Sequence, residues 1–377
     1  MAGPRLEEGV ESAGGAEAPA RPRGGDLSFG VFAGLVAFPA AYFFVSGYPV
    51  LRVASLLWPE WAPGTGFLLA IFCLPAAGWL VHQHWRSALT RFVLRVAYTW
   101  LGLLFLAAVT VAAWDVGRWL LGPRLFGVAG LVMVLAGVLP YALFGAHRLV
   151  IRRFQVRGPV PSPIRMVQVS DIHVGSRTGR FLNRVVERVN RARPDRVFIT
   201  GDLVDLAGLS PEVLVPLSGL EAPAYFVIGN HERYVDADAI CRQVAEQGVR
   251  VLRNEATVDG ALQIIGIDDA SGRDQVERVL GGIPVEPGCY PVLLYHRPDG
   301  LEAAAERGVR LMLCGHTHNG QILPFNFLVK RVFWRICGLY QHGLTRLYVS
   351  PGTGTWGPMM RLGSVNEITV IDLVPEA

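Results

Sequence analysis

The chain has 377 residues, of which 51% are hydrophobic and only 18% are charged, and its mean hydropathy is +0.35. Soluble globular proteins carry about a quarter charged residues, which excludes an ordinary soluble protein over the whole length and indicates a part that lies in lipid. The net charge is +4, but the arginines form no basic cluster, so we expect no nucleic-acid partner. The five cysteines lack repeated CxxC spacing, which argues against a disulfide framework or a thiolate zinc site.

The N-terminal 150 residues divide into a tail and four apolar runs. Residues 1–26 are rich in Ala, Gly, Pro and Glu without apolar periodicity, and we predict that they are disordered. Four charge-free runs follow, each close to the ~20 residues that cross a bilayer. A buried soluble helical bundle would need polar faces between its helices, which these runs do not have. We therefore predict four transmembrane helices within 27–150, at 27–51, 61–81, 96–114 and 125–146.

The arginines near these runs predict their orientation. Ten arginines lie before the first run, between the second and third, or after the fourth, and three lie in the opposite loops. Because Lys and Arg accumulate on the cytoplasmic side, we predict a multi-pass protein of the cell membrane with its C-terminal domain in the cytoplasm. The interiors of the predicted spans contain no ionisable residue, which favours an anchor over a transporter.

The region 155–377 has a different pattern, in which short apolar runs alternate with amphipathic stretches. This alternation is typical of an α/β domain whose central strands are covered by helices. The predicted strands are 164–169, 196–200, 224–228, 262–267, 291–295, 309–314, 346–349 and 367–373. The predicted helices include 180–192, 211–219, 236–247, 273–281 and 299–307.

Metal-capable side chains follow five of the predicted strands. Open α/β sheets place their sites at the carboxyl ends of strands, and all five clusters fall there. A single DxH or HxH is more often incidental than a ligand pair, but five such clusters in order favour one shared site. The clusters are SDIH at 170–173, GDLVD at 201–205, GNHE at 229–232, YHRPD at 295–299 and CGHTHNGQ at 314–321.

The spacing within the clusters indicates which side chains can meet. Residues two apart in an extended chain point to the same side, so Asp171 and His173 can bind one ion together, as can His316 and His318. The glycine before Asp202 lets the backbone turn tightly and approach an ion closely. Mixed carboxylate, imidazole and amide ligands suit Mn, Fe or Zn better than Ca or Cu(I).

The ordered set DIH, GDLVD, GNHE, YH and GHTHNGQ resembles the calcineurin-like metallophosphoesterases over residues 164–373. The resemblance implies a four-layer α/β sandwich, in which two β-sheets are flanked by helices, with a dinuclear centre for two divalent metal ions. It implies that the first ion is held by Asp171, His173, Asp202 and His318. It implies that the second ion is held by a bridging Asp202 together with Asn230, His296 and His316.

The resemblance also implies a reaction. Members hydrolyse phosphate monoesters, diesters or pyrophosphates with a hydroxide that bridges the metals and attacks phosphorus in line with the leaving group. His231 matches the catalytic histidine, and Asp205 matches the acid that orients such a histidine in some members. A helix cap or turn is an alternative role for Asp205. Glu232 stands where many members have Asp, at a position that binds no metal.

The segment 322–340, directly after the last metal motif, combines apolar and basic residues. Apolar residues at 328, 329, 332, 333 and 336 have helical spacing, with three basic residues among them. This pattern is typical of a helix in the headgroup layer of an anionic membrane, and an amphipathic helix packed on the domain is the alternative. The GHTHNGQ ending and the stretches 350–357 and 361–363 resemble the bacterial membrane-associated branch of the family, which includes enzymes acting on lipid-linked substrates.

The sequence therefore predicts a metal-dependent hydrolase of phosphate esters at the membrane surface, with membrane lipid as a partner and a substrate that could be lipid-linked. Two alternatives stay open. One is a hydrolase of soluble nucleotides or phosphoproteins that is merely tethered to the membrane. The other is a membrane receptor or scaffold without catalysis, which the complete set of ligand positions disfavours.

Overall fold

A computed structural model describes residues 41–376 of the chain, with the side chain of residue 75 left out. The tail predicted at 1–26 and the residues 27–40 of the first predicted span lie outside the described residues. From Phe44 onward the chain forms one structural unit.

Helices occupy most of the described residues before residue 146. They are α1 (Tyr48–Leu57), α2 (Thr65–His84), α3 (Ala88–Leu121) and α4 (Val128–Gly145). Ser87 caps α3, because its Oγ accepts a hydrogen bond from Thr90 N and Thr90 Oγ1 accepts one from Ser87 N. This reciprocal pair satisfies two amide groups that a helix start leaves free, and it explains why α3 begins well before the charge-free run.

Two helices of the described chain, α3 and α4, are long and apolar enough to cross a membrane, where we predicted four. The two halves of α2, Thr65–Leu74 and Ala76–His84, are bent by 54° and count as a third span only if they act as one. Pro75 lies at the bend, and a proline lacks the amide hydrogen that a straight helix needs there. Within the described residues, the apolar helix Ala41–Leu57, which includes α1, is shorter than a span. For the described residues the prediction is thus corrected to two spans, or three with α2.

The part of the chain after residue 146 contains two six-stranded mixed sheets. The first has the order β1 (Leu149–Gly158), β12 (Asn366–Pro375), β2 (Ile164–Val169), β3 (Arg196–Thr200), β4 (Ala224–Val227) and β5 (Arg250–Val251). The second has the order β10 (Gly338–His342), β11 (Thr345–Val349), β9 (Leu311–Cys314), β8 (Tyr290–Tyr295), β7 (Leu262–Ile267) and β6 (Glu255–Asp259). Strands β2 to β5 are parallel to one another, as are β7 to β9.

The sheets pack face to face and helices cover their outer faces, which confirms two sheets flanked by helices. Buried side chains of both sheets, among them Phe198, Ile264 and Leu313, form the core between them. Separate apolar clusters join the outer face of each sheet to its helices. The helices of this part are α5 (Gly179–Arg191), α6 (Asn230–Val235), α7 (Ala237–Glu246), α8 (Gln275–Leu280), α9 (Leu301–Glu306) and α10 (Phe325–Val332).

The core between the sheets can be tested at Phe198, which is fully buried. We expect Phe198→Ala to lower the free energy of unfolding by about 3–5 kcal/mol, because it removes buried apolar area and leaves a cavity. Val258 is 53% exposed, and Val258→Ala serves as the control, with a change within about 0.5 kcal/mol. Urea denaturation of the purified full chain measures both, and equal effects at the two positions would contradict this core.

Candidate metal centre

The metal-capable clusters of the two sheets meet at the carboxyl ends of their strands. His296 follows β8 in the second sheet, and its Nδ1 lies 2.9 Å from the carbonyl oxygen of Thr200, the last residue of β3 in the first sheet. The amide of His316, after β9, donates to Asp171 Oδ1 at 3.0 Å. Side chains from both sheets therefore share one buried space.

Asp171, His173 and His318 form the first group of potential ligands. The Nε2 atoms of His173 and His318 lie 3.0 Å apart, and His318 Nε2 lies 3.4 Å from Asp171 Oδ1. All three residues are buried. Two imidazole nitrogens and a carboxylate oxygen at these separations can contact a single ion.

Asp202, His296 and His316 form the second group. His296 Nε2 lies 3.0 Å from Asp202 Oδ2 and 3.2 Å from His316 Nδ1. Asp202 Oδ2 is also 3.9 Å from His173 Nε2, so this carboxylate lies between the two groups. Asp202 is thus a neighbour of both groups.

The structure separates His316 from His318, which the spacing argument paired on one ion. That argument assumed extended backbone, but His316 has a φ of 74° and His318 has a φ of 51°. The chain turns sharply between them, so His318 joins the group of Asp171 and His316 joins the group of Asp202. The division agrees with the one that the family resemblance implies.

Unusual backbone conformations concentrate in this centre. Asp171, His173 and Asp202 also have φ values between 52° and 56°, a left-handed region that residues other than glycine rarely adopt. Such conformations cost about 1–3 kcal/mol each and persist where the surroundings enforce them, often at functional sites. Glycine at position 229 lets its loop approach Asp202 closely, since a Cβ on Gly229 would lie 2.2 Å from Asp202 Oδ1.

The donor atoms fit divalent cations. Among the described residues, Asn230 Oδ1 is buried without a hydrogen-bond partner, which is uncommon for a buried amide oxygen. Asn230 lies at the start of α6, after the strand that neighbours the Asp202 strand. A buried acceptor without a donor is what a cation would satisfy.

Asp202 and His296 each stabilise the charge of the other, and two other imidazoles are affected mainly by burial. Burial opposes a charge on His296, but the neighbouring Asp202 outweighs it and raises the pKa of His296 to about 10. Burial alone would raise the pKa of Asp202, but His296 holds that pKa well below its usual range. Burial lowers the pKa of His316 to about 3 and that of His318 well below its usual value. Both imidazoles are therefore neutral near pH 7, the form that binds metals.

His231, predicted to be the catalytic histidine, borders both groups and is only partly buried. Its ring lies 4.9 Å from that of His173, and its amide donates to Asp202 Oδ1 at 2.8 Å. Burial lowers the pKa of His231 to about 4. The ring of His231 therefore lies against the first group, and its backbone amide contacts the second.

Asp205, which we predicted as the partner of His231, lies against a different histidine. Its Oδ2 is 3.5 Å from His173 Nδ1, and its carboxylate accepts hydrogen bonds from the amide and hydroxyl of Ser176. A carboxylate on the far nitrogen of a metal-binding histidine fixes the ring and its tautomer. The structure thus supports Asp205 as an orienting residue for His173.

Glu232 has a structural role that the sequence did not reveal. It is fully buried, and its carboxylate accepts hydrogen bonds from the amides of Gly229, Asp202 and Val204 at 2.7–2.9 Å. Burial raises its pKa to about 7. One side chain therefore joins the loops that carry Asp202 and Asn230, although it is not one of the potential ligands.

Arg361 is the second residue that sequence reasoning missed. It is 1% exposed, and its guanidinium donates to the carbonyl oxygens of His318 and Gly354 and to Asn366 Oδ1. Its amide donates to the carbonyl oxygen of Ala142 in α4 at 2.8 Å. Burial lowers the pKa of Arg361 to about 10. Arg361 thus joins the metal centre to an apolar helix.

Comparison with known proteins gives the family. The model of the calcineurin-like phosphoesterases matches residues 164–320. A metallophosphoesterase of Aquifex aeolicus is 31% identical over 239 residues, which are 57% of this chain and 87% of that protein. The chain belongs to the calcineurin-like metallophosphoesterases. This family uses divalent metals to hydrolyse phosphate esters, and the two groups are candidate metal sites.

Other metallophosphoesterases match a smaller part of their own length. One from Helicobacter pylori is 34% identical over 56% of this chain, and the match spans 60% of that protein. A transmembrane protein with a metallophosphoesterase domain from Danio rerio is 35% identical over 56% of this chain and 53% of its own length. Among solved structures, TT1561 of Thermus thermophilus aligns with a TM-score of 0.35 at 12% identity, over 50% of this chain and 91% of its own.

The linking role of Arg361 predicts the effect of its removal. Arg361→Met removes the donor to the buried carbonyl oxygen of Gly354 and the donor to Asn366 Oδ1, and we expect a loss of ~3 kcal/mol in the free energy of unfolding. Arg278 is exposed on α8, and Arg278→Met should change it by less than about 0.5 kcal/mol. Thermal and urea unfolding of the full chain provide the measurement. A loss no larger for Arg361→Met than for Arg278→Met would contradict the role.

Proposed function

We propose that the chain is a phosphoesterase with a dinuclear metal centre. The observation that carries the proposal is the position of Asp202 between two groups of potential ligands, with His173 and His318 on one side and His296 and His316 on the other. In this proposal Asp171, His173, Asp202 and His318 hold one ion. Asp202, Asn230, His296 and His316 hold the other.

The chemistry of the centre follows from these ligands. Two bound divalent ions would offset the charge on phosphate oxygens and lower the pKa of the attacking water. In this proposal the ring of His231 donates a hydrogen bond to the phosphate. The negative charge of that phosphate would raise the pKa of the ring from about 4 towards the range in which it can give a proton to the leaving oxygen. Asp205 orients His173, and Glu232 keeps the Asp202 loop beside that of Asn230. These residues supply geometry and proton transfer around the ions.

We further propose that the reaction takes place at the membrane surface. Helices α3 and α4 are long enough to cross a bilayer, and Arg91 and Arg95 precede the charge-free part of α3 while Arg148 follows α4. Basic residues at these ends favour a cytoplasmic catalytic domain. A tethered hydrolase of soluble nucleotides or phosphoproteins is the second candidate, and it predicts equal activity with and without a bilayer.

Loss of the bridging carboxylate tests the catalytic proposal. Asp202→Ala in the full chain should lower the turnover of bis-p-nitrophenyl phosphate with Mn²⁺ by at least about a hundredfold, because it removes charge stabilisation at the reacting phosphate. Glu246 is an exposed carboxylate at the end of α7, and Glu246→Ala should keep the activity of the wild type.

The same assay includes p-nitrophenyl phosphate, because the type of ester is not fixed by the ligands. If wild type and Asp202→Ala were equally inert on both substrates with metal bound, the hydrolase proposal would be contradicted. A receptor or scaffold without catalysis would then account better for the centre.

A further inference from the structure

Helix α10 presents apolar side chains that no part of the described chain covers. It follows the last metal motif, and within the described structure it buries none of its residues. Phe327 is 63% exposed, Leu328 is 60% exposed, and the nearby Trp334 is 92% exposed. An amphipathic helix packed on the domain would bury this face, whereas these three side chains are exposed.

A ring contact fixes the level of α10 along helix α3. The ring of Phe325 meets the ring of Phe105 edge-on, with centroids 6.5 Å apart. Phe105 lies ten residues after Arg95, which is about 15 Å along a helix. It is therefore near the middle of the charge-free run 96–114. If α3 crosses a membrane, the start of α10 lies within the hydrocarbon layer.

The loop 356–362 gives an independent contact at a similar level. The amide of Met359 donates to Thr99 Oγ1 at 3.2 Å. A Cβ on Gly102 would lie 2.7 Å from Pro358 Cβ, so the loop approaches the helix closely where glycine allows it. Two separate segments of the phosphoesterase domain thus pack on the apolar part of α3.

The same two segments border the metal centre. His231 and His316 are the two partly buried histidines of the centre. The ring of Trp356 lies 5.6 Å from that of His231, and the ring of Phe333 lies 5.1 Å from that of His316. The accessible side of the centre is therefore lined by aromatic residues from the segments that contact α3.

We propose that α10 and Trp334 insert into the membrane leaflet, and that the substrate is a phosphate ester or pyrophosphate carrying hydrocarbon chains that enters from this leaflet. Lys330 and Arg331 lie in the last turn of α10, where they can contact anionic headgroups. The phosphate would reach the centre past Phe333 and Trp356 while the chains stay in lipid. The substrate class rests on the proposed function, whereas insertion is independent of it.

Insertion is measured without activity. In the full chain with Cys73, Cys289 and Cys337 replaced by Ser, an NBD fluorophore is attached at Leu328→Cys, and the protein is reconstituted in phosphatidylcholine–phosphatidylserine vesicles. We expect quenching by lipids that carry a nitroxide on the acyl chain. The same label at Val258→Cys, on the edge strand β6, should not be quenched. Equal and weak quenching at both positions would overturn the proposal in favour of a protein partner.

The substrate class is measured on the same vesicles with added dioleoyl phosphatidic acid, dioleoyl phosphatidylglycerol or CDP-dioleoylglycerol, which present a monoester, a diester and a pyrophosphate. We expect wild type to hydrolyse at least one. The variant F327S/L328S/W334S should lower the ratio of that turnover to the turnover of bis-p-nitrophenyl phosphate by about tenfold or more, because three apolar anchors are lost. V258S is the matched control and should keep the ratio.

The outcomes separate the two proposals. If wild type hydrolyses bis-p-nitrophenyl phosphate but none of the lipids in the vesicles, the proposal of a lipid substrate is overturned and the phosphoesterase proposal is kept. An unchanged ratio in the triple variant would overturn the role of the inserted surface. If wild type hydrolyses no substrate while NBD at residue 328 is quenched, the phosphoesterase proposal is overturned and the insertion proposal is kept.

Discussion

The burial of two carboxylates with four imidazoles in one space is the constraint on which the rest of this structure depends. Asp171 and Asp202 are almost fully buried, and buried charges are stable only when they are paired or bind metals. His296 can balance Asp202 as an ion pair. Asn230, which precedes the residue whose amide binds Asp202, has a buried amide oxygen without a donor among the described residues. Divalent cations would satisfy all these groups together.

The fold meets this constraint by ending parallel strands of two sheets at one edge. Strand geometry alone does not complete the centre, because several ligand candidates need left-handed backbone that the surroundings must enforce. Glu232 and Arg361 provide that support, one from the first turn of α6 and the other from the loop that packs on α4. Arg361 also joins the centre to α4, so the position of the site beside this helix and its internal geometry depend on the same residue.

Much of this organisation could be predicted from the sequence, for identifiable reasons. Strands β2, β3 and β7 were predicted with their observed bounds because they are short apolar runs bounded by turns. Strand β1 was missed because its three arginines, Arg152, Arg153 and Arg157, resemble a basic loop after a membrane span. The bend in α2 and the turn between His316 and His318 were missed because periodicity assumes regular backbone. Buried polar links such as Glu232 depend on contacts distant in sequence, which no local pattern reveals.

The metal content of the purified full chain tests the central claim most directly. After exposure to Mn²⁺, Fe²⁺ or Zn²⁺ and removal of free metal, elemental analysis should find two divalent ions per chain, and fewer in Asp202→Asn. Chelation should lower the midpoint of thermal unfolding, because the buried carboxylates lose their compensating charge. A wild type that binds no more metal than Asp202→Asn, and whose unfolding is unchanged by chelation, would contradict the account.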